Sequence, residues 1–192
     1  MANFFTLTYI LLFFFGIFFI LIFIFLHYRN LYRLYENPKI SKIPYVSFLV
    51  PAYNEENGLE ETIKSLLQID YPTDKKEIII INDGSEDSTL EIAKKLESSY
   101  SGIIVLNKKN SGKANSLNQA LSIAKGELIA VVDADSYPKK DSLRKMVGHF
   151  ENPDVAAVTS RVLVKNKRNW LGRFQVMDYS IIAWTRKLLD FV

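Results

Sequence analysis

Residues 46–55, VSFLVPAYNE, decide the fold because they join a short apolar run to a polar turn. The same pairing returns three times, at residues 78–85, 103–113 and 128–135. Continuous β-branched runs, such as IIII at residues 78–81, are typical of strands buried on both faces of a parallel sheet. The sequence therefore predicts four strands, over residues 46–50, 78–81, 103–106 and 128–132.

The stretches between and after these runs predict helices over residues 59–67, 90–100, 114–124 and 141–150. Ser88 and Glu91 form a capping-box pattern at the start of the second helix. Alternating strands and helices with short connections indicate an α/β domain built on a mostly parallel sheet. In such sheets, ligands bind outside the carboxyl ends of the strands.

Polar side chains follow each predicted strand, and turn chemistry alone accounts for them at any single strand. Carboxylates follow three of the four strands, which together favours a binding site along one rim of the sheet. Asp133 and Asp135 are the most informative of these residues. Two carboxylates at a strand end can bind Mg²⁺ or Mn²⁺ and leave coordination positions of the cation open for phosphate oxygens. The candidate residues are Pro51, Tyr53, Glu55, Asp83, Lys113, Asp133 and Asp135.

The composition excludes several other classes of site. The chain has no Cys and two His, which excludes a disulfide framework, a thiolate nucleophile and a Cys-ligated zinc site. The formal net charge of +3 is too small to indicate a nucleic-acid partner. The glycines and acids match neither a P-loop, nor an EF-hand, nor a dinucleotide-binding fingerprint.

Residues 4–26 contain no charged side chain, and a helix of 23 residues extends about 34 Å, enough to cross a hydrocarbon core of about 30 Å. The sequence therefore predicts a transmembrane anchor over residues 1–27 and a juxtamembrane linker over residues 28–45. Bases outnumber acids after the span, so the positive-inside rule predicts a single-pass cell-membrane protein with its N-terminus outside and its main domain in the cytoplasm. These charged residues are Arg29, Arg33, Lys39, Lys42 and the one acid Glu36.

Four motifs, taken in order and spacing, resemble those of the family 2 glycosyltransferases over residues 46 to about 160. They are VSFLVPAYNE at 46–55, INDGS at 81–85, SGKAN at 111–115 and VDAD at 132–135. The stretch at 160–175 is similar to the membrane-bound branch that includes poly-N-acetylglucosamine, hyaluronan and cellulose synthases. The resemblance implies a GT-A fold, with a Rossmann-like and mostly parallel sheet, that forms a nucleotide-sugar-binding domain over residues 46–165.

The resemblance also implies a role for each candidate residue on the nucleoside side of the site. Tyr53 and Glu55, with Pro51 beside them, would border the nucleoside of a UDP-sugar. Asp83 would accept a hydrogen bond from the uracil ring.

On the diphosphate side, the resemblance places Lys113 on a loop near the base and the diphosphate. Asp133 would reach the ribose, and Asp135 would bind Mg²⁺ or Mn²⁺ on the diphosphate. A polysaccharide or polyprenyl-phosphate acceptor would then attack the anomeric carbon in one inverting displacement, with its proton passing to a carboxylate base.

The chain departs from the family pattern at that base, which in the family is an Asp that usually follows Glu. The acids beyond Asp135 include no adjacent Glu-Asp pair, and a Gln-x-x-Arg-Trp motif is missing as well. We therefore assign no catalytic residue to this chain and expect a truncated, donor-binding half, with a second chain as a candidate source of the base. The acids in question are Asp141, Glu151, Asp154, Asp178 and Asp190.

Residues 166–192 predict an amphipathic interface helix, because apolar residues recur there at alternating spacings of four and three. Two Trp and several bases suit the surface of an anionic membrane lipid, and a cover over the sheet or over another part of the domain explains the stripe equally well. The stripe is Trp170, Phe174, Met177, Ile181, Trp184, Leu188 and Phe191.

Three functions remain open from the sequence. The first is a membrane-anchored inverting glycosyltransferase, or its donor-binding half, which uses a UDP-sugar. The second is a non-catalytic UDP-sugar-binding subunit or inactive fragment that needs a partner chain for the base. The third is a nucleotidyltransferase or receiver-like α/β domain with clustered acids.

Overall fold

The computed structural model describes residues 2–31, 38, 40–165 and 169–189. These residues form two compact units. One unit is Asn37–Val158, and the other combines Met1–Glu36 with Thr159–Val192. Parts of the predicted linker and interface helix lie outside the described residues, at 32–37, 39, 166–168 and 190–192.

Strands and helices follow one another in the predicted order. The strands are β1 (Val46–Ala52), β2 (Lys76–Asp83), β3 (Ile103–Lys108) and β4 (Leu128–Val131). The helices are α1 (Ala2–Arg29), α2 (Leu59–Leu67), α3 (Thr89–Ser99), α4 (Lys113–Leu121), α5 (Ser142–Val147) and α6 (Trp170–Leu189). The prediction of an α/β domain is confirmed.

The four strands form one parallel sheet in the spatial order β3-β2-β1-β4. The chain lays down β1, β2 and β3 in one direction and then crosses to the other side of β1 with β4. A reversal of this kind opens a crevice at the carboxyl ends of the two strands where the direction changes. The topology therefore favours the loops after β1 and β4 as the place for a ligand.

The core lies on both faces of this sheet, because β1 and β2 are apolar on both sides. Ile78 and Ile80 of β2 belong to the larger cluster, which includes residues of α2, α3 and α5. Ile79 and Ile81 belong to the smaller cluster, which includes Ala120 of α4. Each fully buried isoleucine stabilises the fold by about 1.5–3 kcal/mol, so the central strands form a firm base for the loops at their ends.

Two local predictions need correction. The capping box at the start of α3 is wrong: the Ser88 side chain makes no capping hydrogen bond, and Asp87 Oδ1 accepts the N–H of Thr89 at 3.0 Å instead. Asp87 thus satisfies the N–H of the first residue of the helix. The helix predicted over residues 141–150 is an α-helix only for Ser142–Val147 and continues as a 3₁₀ turn over Gly148–Glu151.

In the second unit, α1 covers the predicted membrane span. Among the described residues it is the one helix that is long and apolar enough to cross a membrane. Its apolar side chains lie at the surface, and Phe4 is 71% exposed. Length and composition therefore agree with a span, and the membrane anchor stays a prediction.

The helix α6 contacts α1 within the same unit. The indole Nε1 of Trp184 donates a hydrogen bond to His27 Nδ1 at 3.2 Å, and its ring lies 5.9 Å from that of Phe23, centroid to centroid. The apolar stripe is helical and exposed at Trp170, Phe174, Met177, Ile181 and Trp184. The remaining stripe positions, the side chain of Leu188 and Phe191, lie outside the described residues. A lipid surface and a protein cover both stay predictions for this stripe.

Candidate functional site

The predicted site residues lie at or just beyond the carboxyl ends of the strands, with Pro51 within β1. Pro51 is half-buried at the position before the last residue of β1. The carbonyl of Leu49 accepts the N–H of Val132 at 3.0 Å, and Leu49–Val131 is the last pair between β1 and β4. Alternate residues of a strand direct their backbone groups to the same neighbouring strand, so Pro51 faces β4 as Leu49 does. The pairing between β1 and β4 has already ended at Pro51, so its missing N–H removes no hydrogen bond from the sheet.

The loop after β1 is tied to the loop after β2 by hydrogen bonds around Asn54. The Asn54 N–H donates to Ser85 Oγ at 3.0 Å, and the N–H of Glu86 donates to Asn54 Oδ1 at 2.9 Å. Asn54 has a φ of 54°, in the left-handed region that Asn tolerates better than most residues. These bonds hold the turn between Tyr53 and Glu55 in one conformation.

Glu55 is held through a short relay of hydrogen bonds. Its N–H donates to Thr89 Oγ1 at 2.8 Å, and the Thr89 hydroxyl donates to Asp87 Oδ1 at 2.5 Å. Burial raises the pKa of the Glu55 carboxyl, and the negative charges of Asp135, Asp87 and Asp133 raise it further. The acids from the ends of β1, β2 and β4 therefore share one electrostatic environment, which favours a cation.

Asp83, the last residue of β2, lies at the centre of a buried hydrogen-bond network. Its carboxylate forms an ion pair with Lys108, and the two side chains are 7% and 9% exposed. Asp83 Oδ1 also accepts the N–H of Ser111 at 2.9 Å, and Oδ2 accepts the N–H of Gly112 at 3.0 Å. The carboxylate thus fixes the loop that leads into α4.

The electrostatics of Asp83 agree with this structural role. Desolvation by burial raises its pKa, but the hydrogen bonds from Lys108 and Ser111 and the charge of Lys108 outweigh that effect, so the pKa lies below the ordinary value. A carboxylate accepts about four hydrogen bonds, and the chain itself already donates three through Lys108, Ser111 and Gly112.

Lys113 begins α4 and forms a second ion pair on the same rim. Its Nζ lies 2.5 Å from Asp133 Oδ1, and the two side chains are 58% and 56% exposed. This pair joins the loop after β3 to the loop after β4. Both charges remain accessible to a ligand.

Asp135 lies in a tight turn that follows β4. The N–H of Ser136 donates to the carbonyl of Asp133 at 3.0 Å, and the Thr62 hydroxyl donates to the carbonyl of Ala134 at 2.7 Å. Ala134 is buried, whereas the Asp133 and Asp135 side chains are exposed. The turn therefore presents two carboxylates to solvent while its middle is anchored in the core.

These carboxylates fit a divalent cation that a phosphate ligand shares. The described residues contain no group of three or more His, Cys, Asp or Glu side chains that could enclose a metal by themselves. Mg²⁺ in particular is usually bound by one or two carboxylates together with substrate phosphates and water. Exposed Asp135, in the negative field that also acts on Glu55, matches that donor set.

Sequence reasoning missed two residues that build this site, Lys108 and Thr62. Lys108 could have been found, because the parallel register places it beside Asp83. Thr62 gives no local signal, since its hydroxyl bonds Ala134, 72 positions away.

Comparison with known proteins agrees with the architecture. The sequence model described as "Glycosyl transferase family 2" matches residues 47–189. The poly-beta-1,6-N-acetyl-D-glucosamine synthase of Staphylococcus aureus (strain MSSA476) is 36% identical over 152 residues, which cover 78% of this chain and 36% of the relative. The protein of the same name from Staphylococcus epidermidis is 38% identical over 138 residues, covering 71% and 33%. The chain thus spans about a third of the length of these relatives.

Solved structures show the same fold. The mannosyltransferase PcManGT from Pyrobaculum calidifontis, solved with GDP-Man and Mn²⁺, aligns with a TM-score of 0.61 at 29% identity, covering 78% of this chain and 45% of that one. TarS from S. aureus, solved with UDP-GlcNAc, aligns with a TM-score of 0.51 at 28% identity, covering 64% and 38%. The expected GT-A fold is confirmed.

Proposed function

The chain belongs to glycosyl transferase family 2, and from this premise we propose that it binds the nucleotide-sugar donor of a membrane-anchored, inverting glycosyltransferase. The observation that carries the proposal is the exposed Asp133 and Asp135 turn beside Glu55, at the crevice between β1 and β4. Nucleotide-sugar binding would occupy the unit Asn37–Val158, close to the predicted domain at residues 46–165.

The proposed donor is a UDP-sugar, with Mg²⁺ or Mn²⁺ on its diphosphate. A relative of known structure was solved with UDP-GlcNAc and another with GDP-Man and Mn²⁺, which supports a nucleoside diphosphate and a divalent cation. Tyr53, 47% exposed, is available to cover a base beside Pro51. Asp83 has about one acceptor position left for a uracil N–H.

In the proposed reaction, the acceptor hydroxyl attacks the anomeric carbon, the bond from that carbon to the diphosphate breaks, and UDP leaves. A bound cation would offset the charge that develops on the departing phosphate. Asp135 would hold that cation, and Lys113 would exchange its contact with Asp133 for a phosphate oxygen. The proton of the hydroxyl passes to a carboxylate base.

The acceptor we propose is a growing polysaccharide or a polyprenyl phosphate at the cytoplasmic face of the cell membrane. The names of the Staphylococcus relatives support a polysaccharide. The apolar surface of α1 supports a membrane anchor, because lipid is the solvent that such a helix requires. The exposed apolar stripe of α6 would then contact the membrane lipid.

A second candidate function is a UDP-sugar-binding subunit without catalytic activity, which would need the donor site alone. The full chain in lipid nanodiscs, incubated with Mn²⁺ and UDP-GlcNAc, UDP-glucose or GDP-mannose, separates the two. Competition against a fluorescent UDP derivative measures donor binding, and release of UDP measures turnover.

Binding with turnover supports the transferase, and binding without turnover supports the subunit. No competition by any of the three donors would contradict both. Asp135→Ala removes the proposed cation ligand and should weaken donor binding, and Asp141→Asn is its matched control, because Asp141 is an exposed acid that pairs with Lys145 instead.

A further inference from the structure

The turn that carries Asp135 is fastened to α2 by one buried hydrogen bond. The Thr62 hydroxyl donates to the carbonyl oxygen of Ala134 at 2.7 Å, and the two residues are 0% and 3% exposed. The bond from the N–H of Ser136 to the carbonyl of Asp133, 3.0 Å long, makes residues 133–136 a β-turn. The carbonyl that Thr62 binds therefore belongs to the central peptide of that turn.

The orientation of this central peptide sets the backbone conformation of Asp135, from which its side chain projects. Type I and type II turns differ by a flip of the central peptide, and type II requires a positive φ at the third residue, here Asp135. Among the described residues, Asn54 is the non-glycine residue with a positive φ, so Asp135 has the backbone of a type I turn. A donor on the Ala134 carbonyl opposes the flip, because the flipped carbonyl would leave a buried hydroxyl without its partner.

The same face of α2 approaches the turn at Gly58, one helical turn before Thr62. A Cβ atom at Gly58 would lie 3.0 Å from the Ala134 carbonyl oxygen and 3.4 Å from Asp135 Cα. Gly58 has a φ of −111°, so the backbone is open to any residue and the close approach is the constraint. This end of α2 therefore approaches the turn through the hydroxyl of Thr62 and through Gly58, which has no side chain.

We propose that Thr62 is a positioning residue for the cation-binding carboxylate Asp135. The inference rests on the proposed function and deepens it, because it names the group that sets the geometry of the cation site. Thr62 is fully buried and would contact neither donor nor cation. It fixes the peptide from which the Asp135 side chain projects, and supporting groups of this kind typically change metal affinity by about 10–100-fold when removed.

The test measures Mn²⁺ binding to the full chain in lipid nanodiscs by electron paramagnetic resonance, with saturating UDP present. Thr62→Val keeps the shape of the side chain and removes the hydroxyl, and we expect Mn²⁺ affinity to fall roughly tenfold or more. Thr62→Ser keeps the hydroxyl and should restore most of that affinity. Binding of UDP without Mn²⁺ should be the same in all three proteins.

Ser47→Ala is the matched control for a general loss of stability. Ser47 is also fully buried, and its hydroxyl donates to Glu77 at 2.5 Å and accepts the N–H of Gly126 at 2.8 Å. It lies near the start of β1, at the opposite end of the sheet from Asp135. Its loss should lower the melting temperature and leave Mn²⁺ affinity unchanged.

Equal Mn²⁺ affinity in wild type and Thr62→Val would overturn the inference, and so would an equal loss in Ser47→Ala. If Thr62→Val does not fold, Gly58→Ala probes the same contact, because its methyl group would shift the Ala134 carbonyl that Thr62 binds, and unchanged Mn²⁺ affinity in Gly58→Ala would then overturn the inference. Failure of the wild type to bind UDP with Mn²⁺ would refute the proposed function, and the positioning role with it.

Discussion

Two lysine–aspartate pairs on the same rim of the sheet differ in how far they are exposed to solvent. Lys108 and Asp83 join the ends of β3 and β2, and their side chains are 9% and 7% exposed. Lys113 and Asp133 join the loops after β3 and β4, and theirs are 58% and 56% exposed. The chemistry of the two pairs is the same, so their surroundings decide what each pair does.

The buried pair is part of the framework. Lys108 donates to Ser111 Oγ at 2.5 Å and to Ser116 Oγ at 3.1 Å in addition to Asp83, so its donors are used within the protein. The exposed pair contributes little to folding, because water and salt screen it, and its charges can be redirected to a ligand. The rim therefore combines a fixed side at β2 and β3 with an adaptable side at β4.

The largest expected effect follows from Lys108→Met. Removal of one partner leaves the Asp83 carboxylate buried with only the N–H donors of Ser111 and Gly112, so we expect a loss of about 3–5 kcal/mol in the free energy of unfolding. Thermal unfolding followed by circular dichroism measures the loss. Lys113→Met is the control, and equal losses in the two variants would erase the distinction between the pairs.

The second largest effect is expected in acid, which should weaken the buried pair of Lys108 and Asp83. The folded state holds the pKa of Asp83 below its ordinary value of 3.8, so the unfolded chain binds the proton more readily. Stability from this group is therefore complete above that value and is lost as the pH falls through the lower folded pKa. Unfolding curves between about pH 2 and 5 should show this dependence in the wild type and a weaker one in Asp83→Asn, because other carboxyls with lowered pKa values, such as those of Asp87 and Glu151, remain. An unchanged curve in Asp83→Asn would contradict the assignment.

Lys113→Met should affect the ligand more than the fold. An exposed pair contributes about 0–1 kcal/mol to stability, whereas a charged hydrogen bond to phosphate contributes about 1.5–3 kcal/mol to binding. We expect UDP affinity to fall about tenfold or more with little change in melting temperature. Calorimetric titration of UDP measures this change, and full UDP affinity in the variant would show that Lys113 does not reach the diphosphate.

Glu55→Gln gives the smallest effect, with the opposite sign. Burial and the charges of Asp135, Asp87 and Asp133 raise the pKa of Glu55, so its ionised form destabilises the fold without a cation. The amide should raise the free energy of unfolding by about 0.5 kcal/mol at neutral pH and by less in high salt. Thermal unfolding at two salt concentrations tests this, and a destabilised variant would show that Glu55 makes contacts that outweigh the repulsion.

The sequence predicted the strands by their apolar runs but not their full length. β2 includes Lys76 and Glu77, which are charged and yet buried. Lys76 Nζ donates to the carbonyls of Leu66, Leu67 and Ile69, and Glu77 accepts from Ser47 and from the N–H of Lys125. These hydrogen-bond partners come from other parts of the fold, so no local sequence pattern predicts them.

The site residues also divide into those that the sequence could predict and those that it could not. Asp133 and Asp135 follow an apolar run directly, and the parallel sheet brings them to the rim with Glu55. Thr62 lies in the middle of a helix, where a threonine indicates no function by itself. Its role is visible only in the structure, where its hydroxyl bonds the turn at residue 134. The sequence thus reveals the exposed groups that can meet a ligand, and the buried groups behind them require the structure.

Titration of UDP into the full chain in lipid nanodiscs, with and without Mn²⁺, tests the central claim most directly. We predict binding that strengthens with Mn²⁺ in the wild type and loses that dependence in Asp135→Ala, while the melting temperature stays the same because Asp135 is exposed. Folded wild-type protein that binds no UDP, or Asp135→Ala that keeps its full response to Mn²⁺, would contradict it.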